Sequence, residues 1–184
     1  MATLASYALA LVGFGIMAAG VLKALAANLK YIYTRPLMIN ALRTNANHAE
    51  QLCKSSPDTY WGAIGAALKT AGMVQSRDPK IIPTATVPAY DATAQGINQK
   101  WKQLLGKTKM GLMAAGGAVA IGLTKGVPPI PVILLAVMVG IGFVWLFFYI
   151  EEVGRCLTRA RAEVLPEVDS AVAGGRYVFP PPPR

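Results

Sequence analysis

Histidine is nearly missing from this chain. His48 stands alone, and the two cysteines, Cys53 and Cys156, lie far apart and outside any metal-ligand spacing. A zinc site gathers several such ligands, so no metal is expected, and both thiols are expected to be reduced. Acid is scarce as well. Nine Asp and Glu stand against 18 Lys and Arg, for a formal net charge of +9, and only 15% of the residues are charged. An average soluble domain carries roughly 25%. Asp58, Asp78 and Asp91 are isolated from the histidine. No Gly-rich phosphate loop, paired-histidine zinc motif or nucleophile elbow occurs. The expectation is therefore no catalytic residue, no cofactor and no enzyme.

Hydrophobic residues make up 54% of the chain, and they are gathered into blocks rather than spread at the period of a soluble core. Residues 2–27 form one apolar block. Residues 110–150 form another, broken once at Lys125-Gly126-Val127-Pro128-Pro129-Ile130-Pro131. A bilayer core about 30 Å thick takes roughly 20 apolar helical residues. Residues 132–150 carry no charge and meet that need. Met1 to Leu4 lacks the charged side chain of a secretory leader, and the apolar run that follows exceeds a leader's length. The first block is expected to be a retained anchor.

Basic side chains set the orientation. Lys30, Arg35 and Arg43 follow the first block; Lys100, Lys102, Lys107 and Lys109 precede the second; Arg155, Arg159 and Arg161 follow it. Positive charge near membrane ends stays cytoplasmic and favours anionic headgroups. This explains the basic balance without nucleic acid, for which no basic-aromatic motif is present. Both flanks of the second block remain inside if it crosses twice, with prolines that cannot continue a helix interior supplying the turn. The fold expected is mostly α: a polytopic helical membrane protein with three transmembrane helices and a helical cytoplasmic insert. Its parts are a first transmembrane helix at 2–29, a basic helical cytoplasmic domain at 30–108, a transmembrane hairpin at 109–150 with a Pro-rich turn at 125–131, and a cytoplasmic tail at 151–184. The N-terminus is outside and the C-terminus inside. Residues 110–124 reach only about 22 Å as a helix; the alternative to a crossing is a re-entrant or interfacial segment.

Small residues mark candidate packing faces. Ala114, Ala118 and Gly122 recur every fourth position, Gly111 and Ala115 lie on an adjoining stripe, and Ala136 and Gly140 repeat the pattern in the last block. Such stripes let helices approach closely in lipid and point to a bundle or homo-oligomer, although Gly and Ala are also simply common in membrane helices. Lys23, Trp145, Tyr149 and Arg155 are placed as interfacial anchors, where amphipathic rings and long basic side chains bridge lipid and water. No Asp or Glu falls inside the apolar blocks, so a proton relay would need a carboxylate from another subunit.

In the polar middle, Pro36 suits the first turn of a helix running to about Lys54. Ser55-Ser56-Pro57-Asp58 reads as a turn and cap, residues 60–74 as a second helix, and residues 89–105 as a third continuing toward the membrane. Pro83 and Pro88 argue against a long helix over 81–88. The tail from Gly174 to Phe179-Pro180-Pro181-Pro182-Pro183-Arg184 should be extended and polyproline-like, either docked on an aromatic groove of a partner or simply a flexible end.

The layout resembles the MotA/TolQ/ExbB proton-channel family: one helix with an outside N-terminus, a large helical insert, then a membrane hairpin. Ile39-Asn40-Ala41-Leu42, Ala49-Glu50-Gln51-Leu52-Cys53 and residues 60–73 look like the family's insert, and the likeness covers about residues 4–161. The Gly-Leu-Leu-Gly-Thr-Val signature is echoed only loosely by residues 117–124. The motif Ala92-Thr93-Ala94-Gln95-Gly96-Ile97 echoes a second signature but lies in the polar domain. The resemblance implies a bacterial inner-membrane subunit that oligomerises around a small single-helix partner carrying an acidic residue and couples ion flow to an envelope machine. Thr124 would be its pore-lining hydroxyl. The competing readings are a structural or accessory anchor with no ion path and, last, a membrane-bound enzyme subunit.

Overall fold

The structure is a computed structural model that describes residues 2–27, 30–124 and 130–180. Among the described residues every regular element is helical: α1 (Ala2–Ala26), α2 (Tyr31–Thr44), α3 (Ala46–Ser55), α4 (Tyr60–Val74), α5 (Ile82–Leu123), α6 (Ile130–Glu163) and α7 (Leu165–Ala173). The chain forms two compact units. One comprises residues 1–28 and 100–151, the other residues 29–99 and 152–184. Residues 152–184 of the expected tail thus share a unit with residues 30–99 of the expected insert, whereas residues 100–108 of that insert belong with the apolar helices. Of the Pro-rich turn expected at 125–131, only Ile130 and Pro131, which open α6, fall within the described residues; prolines 181–183 also lie outside them.

Two helices, α1 and α6, contain a stretch long and apolar enough to cross a bilayer. Three were expected, and the number is corrected accordingly. Residues 110–123 are not a helix of their own but the end of the 42-residue α5. Small Gly and Ala, with Lys107 and Lys109 just before them, keep that end below the apolarity of the other two.

Local chemistry explains the elements that differ from expectation. The helix expected from Pro36 to about Lys54 starts earlier, at Tyr31, with Pro36 inside it, and is two helices. Asn45 takes an extended backbone (φ −157°), and its side chain accepts from the N–H groups of Asn47 and His48. One residue ends α2 and caps α3, a role that suits asparagine. α5 runs through Pro83 and Pro88. Pro83 lies in the first turn, where an N–H has no intrahelical partner. Asp78 closes the preceding turn, its carbonyl accepting from Ile82 and its carboxylate from Lys80 N–H. α4 begins where the Ser-Ser-Pro-Asp signal places it, capped by Thr59, and ends on Gln75 in the left-handed region.

In the second unit, Met38, Leu42, Ala49, Cys53, Ile64, Leu68, Val168 and Val172 are buried. Polar pairs join its helices around this core. Tyr90, 1% exposed, donates its hydroxyl to the Leu157 carbonyl at 2.7 Å. Tyr31 donates to Glu163, which also holds Arg35 at 2.7 Å. Arg43 pairs with Glu167 and Arg161 with Asp91. The Arg43 hydrogen bond draws the Glu167 carboxyl below its ordinary range.

Asp169 behaves in the opposite way. Burial raises its pKa, and the hydrogen bond donated by Thr86 at 2.7 Å offsets this only partly. The folded state therefore holds this proton more tightly than the unfolded chain. Its contribution is complete below the unfolded pKa and is lost as pH rises through the folded value. Asp169→Asn keeps an acceptor for Thr86 and carries no charge. In chemical denaturation its midpoint should exceed that of the parent at pH 7, and the gap should close as the pH falls below about 4, the ordinary carboxylate value.

Candidate functional site

The most ordered feature of the first unit is a set of three seams. The buried positions of α1 are Ser6, Ala10, Gly13, Met17, Gly20 and Ala24; those of α5 in this unit are Trp101, Thr108, Gly111, Ala115, Ala118 and Gly122; those of α6 include Val132, Val139 and Leu146. Steps of three and four, or of seven, repeat along each helix. An average of 3.5 residues per turn keeps one side of a helix facing its neighbours. Ala10, Ala118 and Val132 form one buried layer, and Met17, Ala115 and Val139 another.

Glycine sets the closest approach. A Cβ on Gly13 would lie 2.6 Å from the carbonyl oxygen of Gly111, and one on Gly111 would lie 2.9 Å from that of Gly13. Backbone therefore meets backbone where α1 and α5 cross. Gly20 faces the methyl of Thr108 and the Leu146 side chain, and Gly142 faces Met17. Between helices in lipid no hydrophobic force operates, and such contact supplies the attraction.

Among the packing residues expected from sequence, Gly111, Ala115, Ala118 and Gly122 are in the α5 seam. Ala114 is half-buried beside it. Ala136 is half-buried against the Met17 layer, and a Cβ on Gly140 would meet nothing within 4 Å. Sequence reasoning missed the α1 seam and Thr108. Counting in fours hides a seam that alternates three and four, and Thr108 reads as a flanking residue because lysines stand on both sides. The spacing Ser6, Ala10, Gly13, Met17, Gly20, Ala24 was the available signal.

Thr124 is exposed and donates its hydroxyl to the Ile121 carbonyl at 2.8 Å, satisfying the end of its own helix. Thr108, 1% exposed, donates to the Leu105 carbonyl at 2.9 Å. The hydroxyls of these two threonines are thus engaged by backbone.

One end of the unit carries the rings. Tyr149 stacks on Trp145 at 5.6 Å and meets the Trp101 edge at 5.4 Å. Lys107 and Lys109 flank Thr108, and Lys23 lies one turn beyond Gly20, so all three share that end; all are exposed. In the second unit Arg155 lies 3.9 Å from Glu152, one turn back on α6.

Neither cysteine provides a nucleophile. Burial, then Glu50, pushes the Cys53 thiol up to about 12. Burial, then Glu152, pushes Cys156 up to about 11. Both are protonated at neutral pH, whereas a reactive cysteine is a thiolate. Among the described residues no group of His, Cys, Asp and Glu is arranged to hold a metal ion.

No protein-family model, curated protein or solved structure matches this chain.

Proposed function

We propose that the chain is a non-catalytic integral membrane subunit whose first unit anchors the second at the bilayer. The observation that carries this reading is the exposure of its apolar helices. Only 28% of the most apolar stretch at α1 and 17% of that in α6 is buried. Leu11, Leu22, Leu134, Val137, Ile141 and Phe148 are all more than half exposed. A contiguous apolar surface of this kind exceeds what soluble monomers tolerate, and lipid is the solvent that matches it.

The end of α5 packs beside these two helices. Its seam is closed against α1 and α6, while Met110, Met113 and Leu123 face outward. Lys23, Lys107 and Lys109 sit with Trp101, Trp145 and Tyr149 at the cytoplasmic surface. Small residues are spent on packing within one copy, and the interior layers are filled by Ala, Met and Val. This favours an anchor or accessory subunit over an ion path through the chain.

The resemblance to MotA/TolQ/ExbB proteins supplies the other reading: a ring of copies in a bacterial inner membrane around a partner helix that brings the titrating carboxylate. Native mass spectrometry of the complex in mild detergent separates the two. The anchor reading predicts a monomer or a single copy in a larger assembly. A closed ring of this chain enclosing a single-helix acidic subunit would overturn it and establish the channel scaffold.

A further inference from the structure

The two units use positive charge differently. In the second, Arg35, Arg43, Arg155 and Arg161 are held by the carboxylates of Glu163, Glu167, Glu152 and Asp91. In the first, the described lysines are Lys23, Lys100, Lys102, Lys107 and Lys109, and Glu151 is the one described acid. All five lysines are exposed. Among the described residues no carboxylate pairs with Lys23, Lys102, Lys107 or Lys109.

The placement of these side chains follows from the seams. Trp101 and Thr108 are buried, seven positions apart on α5, or about 10.5 Å along two helical turns. A lysine stands on each side of both. At about 100° per residue, Lys100 and Lys107 share one flank of the buried line, and Lys102 and Lys109 share the other. α1 adds Lys23, one turn beyond Gly20, which faces the Thr108 methyl. Apolar surface continues the lines that these charges begin. Met113 follows Lys109 one turn on along the same flank of α5, and Ile16 and Val12 precede Lys23 on one side of α1; all three are exposed. A ligand for these ammonium groups therefore meets charge at one end and apolar helix at the other. An amphiphile with an anionic head fits both, its phosphate at the lysines and its acyl chains along the helices. Lysine suits this task, as a compact charge on a flexible stem whose methylenes lie along apolar surface.

We propose that Lys23, Lys102, Lys107 and Lys109 form a girdle that binds the headgroups of anionic phospholipids in preference to zwitterionic ones, with places on both flanks of α5. This preference rests on the chain being a membrane protein and adds the class of lipid that surrounds it. An acidic protein surface would match the charges but not the apolar lines beyond them.

The test reconstitutes the full chain in phosphatidylcholine vesicles that carry a trace of spin-labelled phosphatidylglycerol or phosphatidylcholine. Flotation after an alkaline wash comes first. Chain that does not float would overturn the membrane reading, and the girdle with it. For chain that floats, electron spin resonance measures the lipid held at the protein surface. At low salt, labelled phosphatidylglycerol is expected to associate about threefold or more better than labelled phosphatidylcholine, the scale of one or two lysine contacts. The ratio should fall toward one at about 1 M salt, where the screening length is about 3 Å. Lys107→Gln with Lys109→Gln should reduce the low-salt ratio by about half or more. Lys69→Gln with Lys80→Gln removes the same charge from exposed positions of the second unit and should leave the ratio unchanged. A floating parent chain with no preference would overturn the girdle alone. An unchanged ratio in the Lys107 and Lys109 variant, or equal losses in the two variants, would do the same and assign any preference to net charge.

Discussion

Gly13→Leu should unfasten α1 from α5. The added side chain would begin 2.6 Å from the Gly111 carbonyl oxygen and 3.0 Å from the Ala115 nitrogen. Both are backbone atoms of a helix, so no rotamer change relieves the overlap. Overpacking a core costs about 1–3 kcal/mol when side chains can yield, and here the helices themselves must separate. Trp101 and Trp145, both in this unit, report its melting by fluorescence in detergent. The expected result is a loss of cooperative unfolding or a fall of roughly 10 °C or more in the midpoint, at about 2–8 °C per kcal/mol. Gly15→Leu is the control, since a Cβ there meets nothing within 4 Å; its melting should match the parent. Equal behaviour of the two variants would contradict the close crossing.

Ile141→Arg should oppose the insertion of α6 while leaving the second unit folded. Ile141 lies near the middle of the uncharged stretch of α6 and is 65% exposed. At the surface of a soluble protein this change would be nearly neutral or would improve solubility. At the centre of a bilayer, arginine costs about 2.5–3.5 kcal/mol on insertion scales. A 2.8 kcal/mol cost corresponds to about a hundredfold shift in an equilibrium. Alkaline extraction of membranes measures the outcome: the parent should stay in the pellet, and a larger share of the variant, held by α1 without α6, should move to the supernatant. An unchanged distribution would mean that position 141 does not face lipid.

The two apolar helices were legible because a bilayer imposes a length and forbids charge, and both constraints act on sequence directly. α4 was legible for a local reason, the Ser55-to-Asp58 turn signal ahead of an amphipathic run. The break at Asn45 was not, because apolar positions continue across it and a single capping side chain divides the helix. α5 was read too short at its start because proline counts as a breaker, whereas Pro83 falls in a first turn that needs no N–H. Around the seams, Gly111 and Ala115 were visible as small residues, but Gly13 and Gly20 were not. Their role depends on what lies opposite, which one helix cannot reveal. The docked C-terminal segment was the least legible part. Bonds such as Asn47 to Val178 join residues 131 apart through an asparagine that is ordinary in its local context.

The central claim is that the exposed faces of α1, α5 and α6 in the first unit lie in lipid. The most direct measurement is a spin-label accessibility scan in vesicles, placing one label at a time at Leu11, Met113, Leu134, Val137, Ile141 and Val144, with Lys109 and Arg155 as the aqueous references. The account predicts strong collision with oxygen and weak collision with a water-soluble nickel complex at the six apolar positions, deepest near Ile141, with the reverse at the two basic ones. Free access of the nickel complex to Leu134, Val137 and Ile141 would contradict it, and would place these helices in water.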